Sequence, residues 1–442
     1  MFQTLVNAFK QKDVRKKLFV ILGIILIYRL GCWLPIPGLN VDAFSTMKDG
    51  RPDTGFLDLL SSVSGGALSN GSLLALGVVP YISASIIMQL LTVAIPSLER
   101  LSRAGEEGRK KIAVYTRIAA LIFSVIQAIA IVVAFYGDGA TNCVINLTAF
   151  GEGTPVWIMP TIIAVVLVAG GMFTLWLGEK ITDQGIGNGV SLLIFVGIIS
   201  SAGLALLASF RNVFASNIDE LWNIILFAVI LIAVFALMVF VDLSERKIPV
   251  QYAKQVKGRK LYGGQSTMIP MKLNANGVLP IIFATALVTF PQLFTQMFWP
   301  NSGFYQWWTM NLGVGTPLYF VFNAILIFFF AFFYAQISFN AEEVSRNLQQ
   351  NGGFIQGYRA GKQTTDYLKR VNNRITFFGA LYLAVVFIVP TLIFSLVQGV
   401  NTSSLMTAFS VTGMLIVVSV ALEFDKQLDA QMLMKNYRGF LK

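Results

Sequence analysis

The sequence predicts an all-α polytopic membrane protein, with ten transmembrane helices arranged as two inverted five-helix halves. Three observations predict it. Of 442 residues, 55% are hydrophobic and only 12% charged, with a mean hydropathy of +0.69, a balance outside the soluble classes. Apolar runs long enough to cross a bilayer, roughly 20 residues each, recur ten times. The string from Gly77 to Ser85 (Gly-Val-Val-Pro-Tyr-Ile-Ser-Ala-Ser) returns from Gly277 to Thr285 as Gly-Val-Leu-Pro-Ile-Ile-Phe-Ala-Thr, at the matching place in the second half.

The N-terminal residues 1–17 place Phe2, Leu5, Val6 and Phe9 at helical spacing among basic residues, with no small-residue cleavage site after them. That pattern fits a surface helix rather than a removed signal. The spans fall near 18–37, 73–95, 113–136, 155–178 and 189–209 in an N-terminal half covering 18–210. They continue near 219–241, 275–299, 316–339, 375–397 and 403–423 in a C-terminal half covering 211–424, followed by a tail at 425–442. Basic residues at Lys10 to Lys17, Arg100 to Lys111, Arg246 to Lys272, Arg346 to Arg374 and Lys426 to Lys442 share one face, leaving only Lys48, Arg51 and Arg211 opposite. Basic loops stay inside, so both termini are expected in the cytoplasm. Five spans per half make the second copy enter the membrane in the opposite sense. Paired breakers in inverted repeats mark a pathway between the halves.

Between the first two spans, Gly38, Asp42, Gly50, Pro52 and Asp53 mark an external loop. It leads into a short apolar piece, Phe56 to Ala67, with Leu57, Leu60, Val63 and Ser64 on one helical face until Gly65 and Gly66 interrupt it. It is too short to cross, so it is either a surface helix or a re-entrant piece buried in protein. Two long basic loops lie at 242–273 and 340–374. The first alternates through Ile248, Pro249, Val250, Gln251 and Tyr252, the period of a strand or hairpin. Their length, with aromatics among the charges, fits docking surfaces, and the net charge of +11 fits anionic lipid, nucleic acid or an acidic protein.

Chemistry is sparse. The chain has no histidine, which removes histidine-based hydrolase sets and zinc-protease motifs. Gly361-Lys362 is followed by Gln363, with no glycine at 356, so no phosphate loop exists and energy must come from a partner or a gradient. Cys32 and Cys143 are too few and too separated for a disulfide framework or metal cluster, and no cofactor is expected. Ionisable residues stand at span ends: Arg29 close enough to the external end to snorkel, and Glu179, Asp183, Asp242, Glu245, Glu423 and Asp425 at the cytoplasmic side. A gradient-driven transporter would place such groups at the midplane; that class remains the alternative reading.

The sequence closely resembles the SecY family, central subunits of bacterial protein-secretion channels. The resemblance is carried by Arg29-Leu-Gly31 with Pro35-Ile-Pro-Gly38, Gly65 to Ser69, Pro80 to Ile87, Glu106 to Lys110, Gln184 to Ser191, Tyr252-Ala-Lys254, Gln265-Ser-Thr267 and Asn274 to Phe283. It implies a channel in the bacterial plasma membrane that passes unfolded preproteins, without catalytic residues or bound metal. It implies an aliphatic pore ring of Val78, Ile82, Val190, Ile194, Ile282 and Ile416. A short re-entrant plug helix maps onto about 56–69, with Phe56, Leu57, Leu60, Val63, Gly65 and Gly66. A lateral gate maps onto the second and seventh spans, with Ser83, Thr92, Gln127, Asn274 and Phe290. Docking of the SecA motor ATPase, or of a ribosome through its RNA, falls to Arg246, Lys247, Lys254, Lys257, Arg259, Lys260, Arg359 and Lys362. Ala360 replaces the family's usual proline, an expected source of flexibility at that loop tip. Small membrane subunits of the SecE and SecG types, signal sequences and membrane lipid complete the implied partners.

Overall fold

The computed structural model describes residues 6, 9–39, 64–68, 70–136, 145, 155–216, 221–252, 255–257, 260–262, 266–274, 277–299, 302–313, 316–396 and 411–439. Each of the ten expected spans contains a helix: α1 Lys12–Gly31, α2 Val79–Ala94, α4 Glu106–Tyr136, α5 Ile158–Asp183, α6 Gly189–Ser216, α7 Leu221–Leu243, α8 Leu279–Phe298, α10 Pro317–Ser338, α12 Lys362–Leu396 and α13 Val411–Gly439. Among the described residues six helices are long and apolar enough to cross a membrane. They become seven if α2 and the short α3 (Pro96–Arg103), bent 105° from it, form one span. Two shorter helices among the described residues are α9 Gly303–Leu312 and α11 Ala341–Gln350.

Two boundaries differ from the sequence reading. The first span stops as a helix at Gly31, and Cys32 to Leu39 turn instead, because Pro35 and Pro37 cannot continue it. In the second, residues 73–78 are turns and α2 begins only at Val79. Gly77 is the cause, with a left-handed φ of +53°, and Pro80 then sits in the first helical turn, where its missing N–H costs nothing.

Two compact units make up the molecule. The first combines Met1–Leu226, Ala286–Tyr319 and Val397–Lys442. Within it α4 packs on α2 and α5, α5 on α6, and α6 on α13, while α1 touches α5 and α6. The turning residues 64–68 and 71–78 are largely buried among them: Leu68, Ala75 and Leu76 share a core with Ala128, Ile131 and Val132 of α4 and with Met159, Ile163 and Leu167 of α5. Their backbone is tied by bonds from Ile36 N to Gly71 O (2.9 Å) and Leu73 N to Leu34 O (2.9 Å). Irregular chain at membrane depth survives only when protein surrounds it in this way.

The second unit, Phe227–Thr285 with Phe320–Leu396, carries a small sheet. Strand β1 (Glu245–Tyr252) is central, pairing antiparallel with β4 (Ser266–Lys272) on one side and β5 (Gly353–Ile355) on the other. The expected strand at Ile248 to Tyr252 is thus present, and β5 ties the second basic loop to the first. Strands β2 (Gln255–Lys257) and β3 (Lys260–Tyr262) pair as a hairpin of their own. Ile248, Val250, Met271, Leu348, Ile355 and Leu368 form the core under the sheet, against α11 and α12. Full burial of each such side chain stabilises by about 1.5–3 kcal/mol. Asn340 starts α11 by accepting from Glu342 N and Glu343 N, the N-cap role for which asparagine is suited.

Candidate functional site

The residues expected at the pore fall on four helices. Val78 is buried at the N-cap of α2, and the half-buried Ile82 stands one turn on, its N–H donating to Val78 O at 3.1 Å. The same step recurs in the other copy, where Ile282 N donates to Val278 O at 3.2 Å. Val190 and Ile194, both buried, share one face of α6 at helical spacing, and Ile416 is buried on α13, which packs along α6. Five of the six residues therefore belong to the first unit, and Ile282 to the second. A methyl at Gly178 of α5 would come within 2.9 Å of Val190 Cγ2, so Val190 is backed closely by α5.

The start of α6 is built with care. Asn188 Oδ1 accepts from Val190 N at 3.1 Å, and Thr182 Oγ1 accepts from Gly189 N at 2.9 Å. From the far end of α13, Gln427 Oε1 accepts from Gly187 N, and Gln431 Nε2 donates to Gly185 O. Lys17 Nζ of α1 donates to Gln431 Oε1 at 3.3 Å. Gln427 and Gln431 were not singled out from the sequence. Their signal is two glutamines one turn apart on the polar extension of an apolar helix, which says nothing of the loop they meet.

Of the expected plug residues, Phe56, Leu57, Leu60 and Val63 lie outside the described residues. Gly65 and Gly66 lie in a turn whose neighbours Ser64, Ala67 and Leu68 are buried. Arg29 corrects an expectation. Instead of reaching for the external surface, its guanidinium turns into the protein and donates to the carbonyls of Gly65 (3.3 Å), Gly197 (3.2 Å) and Val196. A five-donor fork finds more partners among turn and helix carbonyls than at the end of its own helix.

At the expected gate, Ser83 and Thr92 are half-buried on α2, and Thr92 Oγ1 donates to Met88 O of its own helix at 2.7 Å. Gln127 is buried on α4 with its Oε1 lacking a protein partner. Asn274 Nδ2 donates to Asp242 Oδ1 at 2.8 Å, joining the end of α7 to the turn before α8. Phe290 lies on α8; its side chain is outside the described residues.

Arg246 and Lys247 project, exposed, from β1. Lys254 and Arg259 are outside the described residues; Lys257 and Lys260 belong to β2 and β3. Arg359 and Lys362 are exposed at the turn between β5 and α12. That turn is braced: Gln363 Oε1 accepts from Arg359 N (3.3 Å), Thr364 Oγ1 donates to Arg359 O (2.8 Å), and Tyr358 stacks on Tyr367 at 4.2 Å. Ala360 sits in this turn, between Arg359 and the start of α12.

Among the described residues no cluster of His, Cys, Asp or Glu could hold a metal ion. Paired helices opened by the same breakers, a buried irregular connection and several apolar spans define a multi-pass membrane protein of the class that contains channels and transporters. The chain belongs to the SecY family, whose model, described as SecY, matches residues 72–424. It is 42% identical to the protein translocase subunit SecY of Streptomyces griseus and 38% identical to that of Mycobacterium tuberculosis, in both cases over 100% of each chain. In fold it is similar to a solved structure described as the structure of a protein conducting channel. The TM-score is 0.64 at 17% identity, covering 94% of this chain and 92% of that one. Sec61 in the canine ribosome-channel complex from the endoplasmic reticulum aligns with a TM-score of 0.62 at 16% identity, over 94% and 92% of the two chains.

Proposed function

We propose that this chain forms the protein-conducting channel of a bacterial plasma-membrane translocase, passing unfolded preproteins outward and releasing apolar segments sideways into lipid. The observation that carries the reading is the repeated helix start, Val78 with Ile82 and Val278 with Ile282, each after a left-handed glycine. It sits in a chain 42% identical, end to end, to a translocase subunit.

Branched aliphatic side chains suit such a constriction. They make no specific bonds to a passing chain, deform around varied residues, and stop ions by dewetting when closed. Val78, Ile82, Val190, Ile194, Ile282 and Ile416 are assigned to that ring, and residues of about 56–69, Gly65 and Gly66 among them, to the plug. Separation of α2 from α8 would open the side gate past Ser83 and Phe290, with Thr92, Gln127 and Asn274 as polar contacts. A segment exposed there partitions by a few tenths of a kcal/mol per leucine or isoleucine.

With both termini cytoplasmic, β1 and the turn after β5 present Arg246, Lys247 and Arg359 to the cytoplasm. Their charge fits acidic motor surfaces or ribosomal RNA phosphates, and the motor hydrolyses ATP while the channel itself performs no catalysis. SecA, a ribosome and SecE-type and SecG-type subunits are the partners of this reading. Reconstitution in vesicles with a SecE-type subunit, SecA, ATP and radiolabelled preprotein tests it. ATP-dependent protection of the preprotein from protease is expected; uptake of small solutes without protection would turn the reading to a secondary transporter.

A further inference from the structure

We infer that α9, with Trp299 just before it, is an interfacial helix: it lies along the leaflet opposite the basic loops, its exposed face seated at the boundary between lipid headgroups and acyl chains. This surface needs only that α8 and α10 cross the membrane, and it is independent of what the channel carries. Helix α8 follows the basic loop at 242–273, and α10 leads back to the one at 340–374, so the connection between them, α9, stands at the other membrane surface.

Charge sets this connection apart. From Leu273 to Ala341 the chain has no Asp, Glu, Lys or Arg. The loop between the first two spans, by contrast, has Asp42, Lys48, Arg51 and Asp53. Aromatic residues stand where charges would: Trp299, Phe304, Tyr305, Trp307 and Trp308, among them three of the chain's seven tryptophans. Tryptophan and tyrosine gather at headgroup level because their rings are amphipathic.

The folded helix sorts these side chains. Phe304, Trp307 and Met310, each three residues apart, share one face and are 50%, 51% and 77% exposed, and Trp299 is 66% exposed. Trp308 and Leu312 face the other way, with Trp308 Nε1 and Leu312 buried. Large apolar faces are rarely left to water. The rim of a protein interface is polar, whereas of α9's polar side chains Gln306 is exposed and Thr309 and Asn311 are half-buried. Backbone groups are met from within: Ser302 Oγ accepts from Tyr305 N at 3.2 Å, Thr309 Oγ1 donates to Tyr305 O at 2.8 Å, and Asn311 Nδ2 donates to Trp307 O at 2.8 Å. Thr316 Oγ1 donates to Asn311 O at 2.6 Å. A helix so satisfied can settle against acyl chains, where water is scarce. Interfacial aromatics set helix tilt, so α9 fixes the depth at which α8 ends and α10 begins.

The test uses the full chain, assembled with its small subunits, in nanodiscs of phosphatidylethanolamine and phosphatidylglycerol. Two single-tryptophan chains keep Trp307 or Trp308, with the other tryptophans replaced by phenylalanine. Lipids brominated near the headgroup end of the acyl chain should quench Trp307 more than lipids brominated near the methyl end, at a depth of about 5–10 Å into the boundary. They should quench Trp308 less. Trp307 emission that no brominated lipid lowers would overturn the inference and put α9 in water or under a protein; stronger quenching from the methyl end would overturn it as well. Should the replacements prevent assembly, Met310→Cys answers in a chain with Cys32→Ser and Cys143→Ser. Met310 and Glu106 are comparably exposed, yet a charged maleimide should react about tenfold more slowly at Met310→Cys than at Glu106→Cys, because apolar surroundings suppress the reactive thiolate. Equal rates would put Met310 in water and end the proposal.

Discussion

Gly77 and Gly277, in opposite halves of the chain, hold the same left-handed backbone, with φ of +53° and +60°. Each closes a turn onto an earlier carbonyl, Gly77 N to Leu74 O and Gly277 N to Asn274 O. Each is followed, two residues on, by a helix with proline in its first turn. The repetition therefore extends from letters to dihedral angles, and the two copies share one way of starting a helix.

An alanine at either glycine forces an L-residue into the left-handed region, at about 1–2 kcal/mol. Gly77→Ala and Gly277→Ala should cost similar amounts, because the new Cβ at Gly77 would meet Ser64 Cβ at 3.4 Å, ordinary van der Waals contact, and nothing lies within 4 Å at Gly277. Thermal unfolding in detergent measures both, and an unchanged midpoint in either variant would contradict the backbone cost.

The ring assignment predicts that Ile82→Asn combined with Ile282→Asn raises ion leak several-fold in bilayers. A polar amide wets a constriction that aliphatic side chains keep dry. Conductance identical to the parent would remove both residues from the ring.

Gln427→Ala with Gln431→Ala should loosen the loop before α6. Each lost hydrogen bond is worth about 0.5–1.5 kcal/mol, so amide exchange at Gly187 should quicken about tenfold with the two together. Unaltered exchange would mean that the loop holds itself through Asn188 and Thr182 alone.

Arg359→Glu should reduce SecA-driven transport strongly while the assembled channel keeps its stability, because the side chain is exposed on a braced turn. Transport at the parent rate would place motor coupling elsewhere on the sheet.

Cysteines replacing Ser83 and Phe290 should crosslink in the closed channel and block transport of preprotein. Efficient crosslinking with normal transport would argue against opening between α2 and α8.

The spans, the repeat and the strand through Ile248 and Val250 were legible in the sequence because each is a local pattern of hydropathy or period. What escaped depends on distant partners. The pairing of Val250 with Ile355 is invisible in either loop alone, as is the meeting of Gln427 with Gly187. Arg29 was misread for a related reason: its position near a span end fits snorkelling, and only the folded position of Gly65 and Gly197 supplies inward acceptors. Thr92 illustrates the converse, since its hydroxyl is satisfied by Met88 O one turn back.

The sheet order β4-β1-β5 also sets a timetable for synthesis. Strands β1 and β4 close on each other as soon as their loop has been made, but the edge of β1 at Val250 to Tyr252 stays open until Gly353 to Ile355 emerge. By then the residues of α8 and α10 have already been synthesised, so the sheet is sealed by late, long-range pairing, the slow kind of contact. A nascent chain that stalls before Gly353 would carry an unpaired strand edge, the surface on which quality control and aggregation both act.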